Sequence, residues 1–184
     1  LPVQASSNYI NSDEDLKQQF DHALSNARKV LAKETGKNLD EIQIEGLKQV
    51  IEDTKDALNG IQRLSKAKAK AIQYVQSLSY INDAQRHIAE NNIHNSDDLS
   101  SLANTLSKVS DLDNAMKDLR DTLESNSTSV PNSVNYINAD KNLQIEFDEA
   151  LQQASATSSK TSENPATIEE VLGLSQAIYL SLIH

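Results

Sequence analysis

The sequence predicts an all-α protein, an elongated string of small three-helix-bundle modules joined by long helices. Three observations carry this. Glycine, proline and phenylalanine number only four, three and two, while Ala, Leu, Lys, Asp, Gln and Asn dominate, a composition that suits helices better than sheets. Apolar residues recur at three- and four-residue spacing along most of the chain. The chain also repeats: Asn8 to Leu24, NYINSDEDLKQQFDHAL, returns at Asn135 to Leu151 as NYINADKNLQIEFDEAL, an offset of 136 − 9 = 127 residues. The register holds without a gap, since Gly46, Leu47, Gln49 and Ile51 reappear as Gly173, Leu174, Gln176 and Ile178. A period this long contains several helices, and a chain that copies whole units builds an array that presents surface.

The first helix is expected to start at Ser12, an N-cap followed by Asp13, Glu14 and Asp15 in the turn where the helix dipole favours negative charge. Leu16, Phe20, Ala23, Leu24, Ala27 and Leu31 form its buried stripe, and Gly36 supplies a stop. Asp40 opens a second helix with the stripe Leu47, Ile51, Thr54 and Leu58, ended by Asn59 and Gly60, so the two make an antiparallel hairpin. From Ile61 a third helix places Leu64, Ala67, Ala71, Val75 and Leu78 on one face. A short helix follows with Ile81, Ala84 and Ile88 inward, broken by Asn91, Asn92, His94 and Asn95 before Ser96 and Asp97 cap the next.

Neither glycine nor proline interrupts the 28 residues from Asp97 to Glu124. As one helix they would span ~40 Å. Leu99, Leu102, Leu106, Val109, Leu112, Met116, Leu119 and Leu123 line this helix with a phase change near Val109, which rotates its buried face. The first half is expected to complete the middle bundle and the second to pack on the next module. Ser125 to Val134 reads as a loop around Pro131. The second copy then repeats the first stripe as Leu143, Phe147, Ala150, Leu151 and Ala154, with Pro165 in the first turn of the helix that follows. Past Ile178 the two copies diverge into Tyr179, Leu180, Ser181 and Leu182, which points to an imposed chain end there. The resulting modules are 1–62, 63–124 and 125–184.

A net charge of −10 opposes nonspecific binding to nucleic acid or anionic membrane and leaves cationic partners open. The absence of cysteine excludes disulfides, thiolate zinc sites and cysteine nucleophiles. Leu1 stands where a methionine would begin an intact chain, so the sequence reads as an excerpt of something longer. The apolar stretch Val171 to Ile183 is too short and interrupted for the ~20 apolar residues of a membrane helix, and no span is expected.

Candidate chemistry is sparse. His22 faces away from the core stripe, with Glu149 at its place in the second copy, and reads as an exposed residue; His87 and His94 lie seven apart with no third ligand, so no metal is assigned. Asp111, Asp113 and Asn114 imitate the start of a calcium loop, but Met116 stands where glycine is needed and Thr122 where glutamate is needed. Without a phosphate loop or nucleophile elbow, neither an enzyme nor a cofactor is expected. One patch departs from the acidic background. No acid occurs between Ala57 and Asn82, and there Arg63, Lys66, Lys70 and Tyr74 follow helical spacing along one flank, a candidate ligand contact. The alternative is a soluble face whose long side chains cover an alanine-rich stripe.

The two copies resemble the FIVAR module, a helical unit whose Asn, Phe and Ala-Leu pattern is carried here by Asn11, Phe20, Ala23 and Leu24 and again by Asn138, Phe147, Ala150 and Leu151. Between them, Leu64 to Gln85, LSKAKAKAIQYVQSLSYINDAQ, resembles the opening of a GA module, the three-helix fold of bacterial albumin-binding domains. The order FIVAR, GA, FIVAR at this period is similar to the giant staphylococcal extracellular-matrix-binding adhesins. The resemblance implies exposure on a Gram-positive cell wall, multivalent weak binding of host fibronectin, and a part in attachment and biofilm formation. Albumin is the other implied ligand, although albumin-binding GA domains carry an aromatic cluster in the second helix where this chain offers only Tyr80 before Ile81, Asn82 and Asp83. A passive stalk that projects a distal binding domain is the rival reading.

Overall fold

The structure, a computed structural model, describes residues 2–32, 36 and 38–180. Ser181 and Leu182 lie outside the described residues. Among those described there is no strand: a 3-10 turn at Val3–Ala5 precedes α1 (Ser7–Ile10), α2 (Glu14–Leu31), α3 (Glu41–Asp56), α4 (Gly60–Ser77), α5 (Asp83–His94), α6 (Leu99–Ser127), α7 (Val134–Ile137), α8 (Lys141–Ser158) and α9 (Ile168–Leu180). The chain divides into two compact units, Leu1–Ala69 with Asp97–Ser101, and Lys70–Ser96 with Leu102–His184.

In the first unit α2 and α3 form the expected hairpin, and Phe20, Ala23, Leu58 and Leu64 are buried. Asp40 caps α3 through a capping box with Gln43, as the sequence requires. Three local expectations are corrected. The N-cap of α2 is Asp13, and Ser12 is 2% exposed because its hydroxyl is used elsewhere. It donates to the Asn8 carbonyl at 2.6 Å and accepts the Asn59 and Gly60 amides at 2.9 Å each, which exhausts the hydrogen-bonding capacity of a hydroxyl. The second correction is that α2 ends at Leu31, five residues before Gly36. Thirdly, Gly60 opens α4, where a Cβ would lie 2.0 Å from the Asn8 carbonyl oxygen. Its smallness, rather than helix termination, accounts for its presence.

The short helix α1 is an addition to the sequence reading. Ser6 caps it by accepting the Tyr9 amide, and Asn11, 2% exposed, ends it by donating to the Ser7 carbonyl at 2.9 Å. Asn8 accepts the Ile61 amide at 3.0 Å and donates to the Leu58 carbonyl at 3.2 Å, so the start of α4 is held by a side chain about fifty residues upstream.

In the second unit, Ala71, Val75, Ile81, Ala89, Ile93, Leu102 and Val109 are buried. The expected inward face of α5 is corrected: Ile88 is 45% exposed, and the buried line is Gln85, Ala89 and Ile93. Hydrogen bonding fixes this phase. Asn82 and Gln85 form a capping box, Asn82 also donates to the Thr157 and Asn164 carbonyls at 3.2 and 2.9 Å, and Gln85 donates to the Ala166 carbonyl at 2.8 Å. A buried glutamine satisfied at both ends costs little, and it turns Ile88 outward. The helix also runs through Asn91 and Asn92, ending at His94 with Asn95 as its C-cap.

The uninterrupted α6 is 29 residues long, close to expectation, and opens with the Asp98 carboxylate accepting the Ser101 amide rather than with a Ser96 or Asp97 cap. Past its phase change, Ala115, Met116 and Leu119 enter one core with Phe147, Ala150, Ala154, Ala166, Val171 and Ile178. Pro165 lies before α9, not in its first turn. Thr167 caps that helix, accepting the Glu170 amide at 3.3 Å while its own amide donates to the Glu170 carboxylate at 2.7 Å.

The sequence repeat is also a repeat of contacts. Tyr9 meets the Phe20 ring edge-on at 6.1 Å and 64°, and Tyr136 meets Phe147 at 5.7 Å and 66°. Tyr9 donates to Asp21 at 2.6 Å, and Tyr136 to Asp148 at 2.8 Å. Ser133 caps α7 as Ser6 caps α1. Each aromatic pair adds about 0.5–1.5 kcal/mol beyond the area it buries.

Candidate functional site

Helix α4 carries all four residues of the candidate contact flank. Helical spacing brings them to one side, but they are not equivalent. Arg63 Nε pairs with Asp13 Oδ1 at 3.0 Å and another guanidinium nitrogen donates to the Asn11 carbonyl at 2.6 Å, while 40% of the side chain stays exposed. Asp13 is fixed in turn by Asn59, whose Nδ2 donates to Asp13 Oδ2 at 2.8 Å. Arg63 therefore holds the start of α4 against the α1–α2 turn. Lys66 in the first unit is exposed, as are Lys70 and Tyr74 in the second, and neither lysine is ion-paired among the described residues. Ala71 and Val75 on the same helix are buried, so the alanine-rich stripe is covered by core packing and the lysine heads remain in water.

The calcium-loop imitation has another role. Asp113 is 9% exposed and its carboxylate accepts the Tyr80 and Ile81 amides at 2.8 and 3.0 Å. Arg120 donates to the Tyr80 carbonyl at 3.0 Å and to the Ser158 carbonyl at 2.7 Å, with its guanidinium 5.6 Å from the Tyr80 ring centroid. Together they tie the α4–α5 link and the end of α8 to α6. Sequence reasoning missed this clamp, because its partners lie 32 to 40 residues away. A buried acid in an otherwise apolar helix stripe was the available signal.

His22, His87 and His94 are exposed, and no group of three His, Cys, Asp or Glu among the described residues is placed to hold a metal ion. An open cleft of about 530 Å³ beside α8 and α9 offers Thr157, Asn164 and Glu170 but neither a base paired with a nucleophile nor a cation. The clearest electrostatic perturbation is at Tyr9. Its hydrogen bond to Asp21, reinforced by burial and the Asp21 charge, pushes its pKa up to about 12, and Tyr136 is raised by the same bond to Asp148. A phenol that donates to a carboxylate resists ionisation, so both serve as structural donors. Among the described residues no helix is long and apolar enough to cross a membrane.

Comparison with known proteins resolves what kind of chain this is. The FIVAR domain matches residues 2–59 and 115–178, and the GA module matches residues 61–115. The chain belongs to the FIVAR family. Its two FIVAR segments flank the GA module, and the second begins inside α6, at Ala115, the first buried residue that helix gives to the α8–α9 core. The chain is 35% identical over 176 residues to the extracellular matrix-binding protein ebh of Staphylococcus aureus strain NCTC 8325, covering 96% of this chain but only 2% of that relative's length. Its fold matches the crystal structure of EbhA (756-1003 domain) from Staphylococcus aureus with a TM-score of 0.89, at 24% identity over 97% of this chain and 72% of that one. A structure from the characterization of Embp-mediated Staphylococcus epidermidis adherence to fibronectin matches with a TM-score of 0.58, at 21% identity over 65% of this chain and 94% of that one. These likenesses establish the all-helical FIVAR and GA fold.

Proposed function

We propose that this FIVAR–GA–FIVAR chain is a repeat fragment of a bacterial surface adhesin that binds host extracellular matrix, with fibronectin as ligand, through many weak contacts. It would act at the cell wall, in attachment and biofilm formation. The observation that carries the reading is the match along 96% of the chain to a protein named for matrix binding, within a repeat that copies its tyrosine–aspartate hydrogen bonds as well as its sequence. In this reading a GA-like module at 63–124 lies between FIVAR-like modules at 1–62 and 125–184, with α6 shared by the last two. Linked modules raise the effective concentration of each contact, so avidity supplies strength that one unit lacks.

The contact we assign is the α4 flank, Lys66, Lys70 and Tyr74, with Arg63 anchored on Asp13 and still partly exposed. In a chain of net charge −10 this flank is the place suited to an acidic segment of a matrix protein. Albumin is a weaker proposal, since α5, the second helix of the GA module, contains no aromatic residue.

The test presents soluble and surface-immobilised fibronectin to one, two and four tandem copies of the repeat. Binding should rise steeply with copy number and fall with salt, because exposed charges are screened over ~8 Å at physiological ionic strength. Lys66→Glu and Lys70→Glu combined with Tyr74→Ala should weaken it while leaving the melting curve unchanged. Unchanged binding by that variant would remove the flank from the reading. Absence of binding at every copy number would favour a passive stalk.

A further inference from the structure

Asn59 and Gly60 form the one Asn-Gly pair in the sequence. Such a pair is prone to deamidate in a flexible chain, because glycine has no Cβ to shield its own amide nitrogen or to restrict the backbone on the way to a ring. The Gly60 nitrogen, once it has given its proton to a solvent base, attacks the Asn59 side-chain carbonyl carbon. A C–N bond forms, the bond from that carbon to Nδ2 breaks, and ammonia leaves with a proton taken from water. A water molecule then opens the five-membered imide at either carbonyl, leaving aspartate or isoaspartate at position 59.

The fold holds both reacting groups away from this course. Gly60 is buried, and its N–H donates to the Ser12 hydroxyl at 2.9 Å. That hydroxyl is fixed in turn by donating to the Asn8 carbonyl at 2.6 Å. The Asn59 side chain is held at both ends by one residue: Oδ1 accepts the Asp13 amide at 3.1 Å, and Nδ2 donates to Asp13 Oδ2 at 2.8 Å. Its main-chain carbonyl accepts the Arg63 amide at 3.0 Å, which ties Asn59 to the start of α4. Attack requires the Gly60 proton to leave Ser12 and the Asn59 side chain to leave Asp13 and turn towards its own main chain. All of these residues lie in the first unit.

The same contacts make the products misfits. Aspartate at position 59 would put a carboxylate oxygen where Nδ2 now donates, 2.8 Å from Asp13 Oδ2. Arg63 already pairs with the other oxygen of Asp13 at 3.0 Å, so one guanidinium would face two carboxylates. Isoaspartate would lengthen the main chain by one carbon just before Gly60. There is no room for this, since even a Cβ on Gly60 would lie 2.0 Å from the Asn8 carbonyl oxygen and 2.7 Å from the Ser12 nitrogen.

We propose that Asn59–Gly60 is a deamidation site which the native fold keeps inert and which opening of the first unit releases, and that the modified chain cannot rebuild the contacts with Ser12 and Asp13. Unfolding of this unit is thereby recorded as a covalent change that keeps it loosened.

The whole chain is incubated at mildly alkaline pH in buffer and in guanidinium chloride. Conversion is followed by mass spectrometry, with fragmentation of the tryptic peptide Asp56–Arg63, in which Asn59 is the one asparagine. It should be at least about tenfold slower in buffer, where reaction must wait for opening. Phe20→Ala, which loosens the first unit, should speed conversion in buffer, and Phe147→Ala, in the second, should not. Equal rates in buffer and denaturant would overturn the proposal, and so would equal acceleration by the two phenylalanine variants. Asn59→Asp tests the product directly. Its hydrogen exchange should show lost protection in α2 and at the start of α4, with α8 and α9 unchanged. Protection equal to the parent's throughout the first unit would show that the product fits, and would overturn the second half of the proposal.

Discussion

Asn11 and Leu99, 88 positions apart, are joined by a 2.8 Å hydrogen bond in which the Leu99 amide donates to Asn11 Oδ1. The Asn11 amide nitrogen donates back to the Asp97 carbonyl at 3.2 Å and to Ser7 at its own helix end. One buried side chain therefore finishes α1 and satisfies an orphan amide in the first turn of α6. Its repeat counterpart, Asn138, makes the same local bond, donating to the Val134 carbonyl at 2.9 Å, and is exposed; positions 127 residues after Asp97 and Leu99 fall outside this sequence.

The two asparagines should respond differently to the same substitution. Asn11→Ala leaves buried backbone groups unpaired and should cost about 1–3 kcal/mol. Asn138→Ala should stay within about 0.5 kcal/mol of the parent. Urea unfolding of both variants checks this, and equal losses would contradict the difference in role.

Gly60 should not tolerate a methyl group. A Cβ there would meet the Asn8 oxygen at 2.0 Å and the Ser12 nitrogen at 2.7 Å, both backbone atoms that no rotamer change can move. Gly60→Ala should therefore destabilise the first unit by about 1–3 kcal/mol, the usual cost of overpacking. Gly46, in the middle of α3, is the control, because a Cβ added there would meet nothing within 4 Å. Gly46→Ala should stabilise by about 0.5–1 kcal/mol through helix propensity, and thermal melts of the pair should shift in opposite directions.

Phe20 and Phe147 each anchor a separate core, at 2% and 1% exposure. Replacing either by alanine should cost about 3–5 kcal/mol. The damage should stay in the unit that holds the residue. Hydrogen exchange of Phe147→Ala should show lost protection in α8 and α9 with α2 unchanged, and uniform loss along the chain would refute independent anchoring.

The Tyr9–Asp21 bond sets an alkaline limit. Because the folded-state pKa of Tyr9 is raised to about 12 from an ordinary 10.0, the bond's contribution is fully present below the unfolded value and is lost as pH rises through the folded one. Stability from this source should fall between about pH 10 and pH 12. Absorbance titration of the phenols should find late-ionising tyrosines, of which only Tyr9 shifts down on Asp21→Ala while Tyr136, raised by its own bond to Asp148, stays late.

The Asp40 and α6 regions were legible in the sequence because their causes are local. A capping residue, a helical stripe and the lack of glycine or proline in α6 act within a few turns of chain, and the 127-residue repeat needs only the residues themselves. The placement of Arg63, Lys66, Lys70 and Tyr74 along one helix followed from spacing alone. The pairing of Arg63 with Asp13 did not, since it depends on a partner 50 positions away. The same reason explains the misjudged face of α5, where hydrogen bonds from Asn82 and Gln85 to Thr157, Asn164 and Ala166 decide which side turns inward. Periodicity tells which residues a helix offers for burial. Only the tertiary structure decides what arrives to bury them, which is why identical residues, Ile51 and Ile178, differ in exposure.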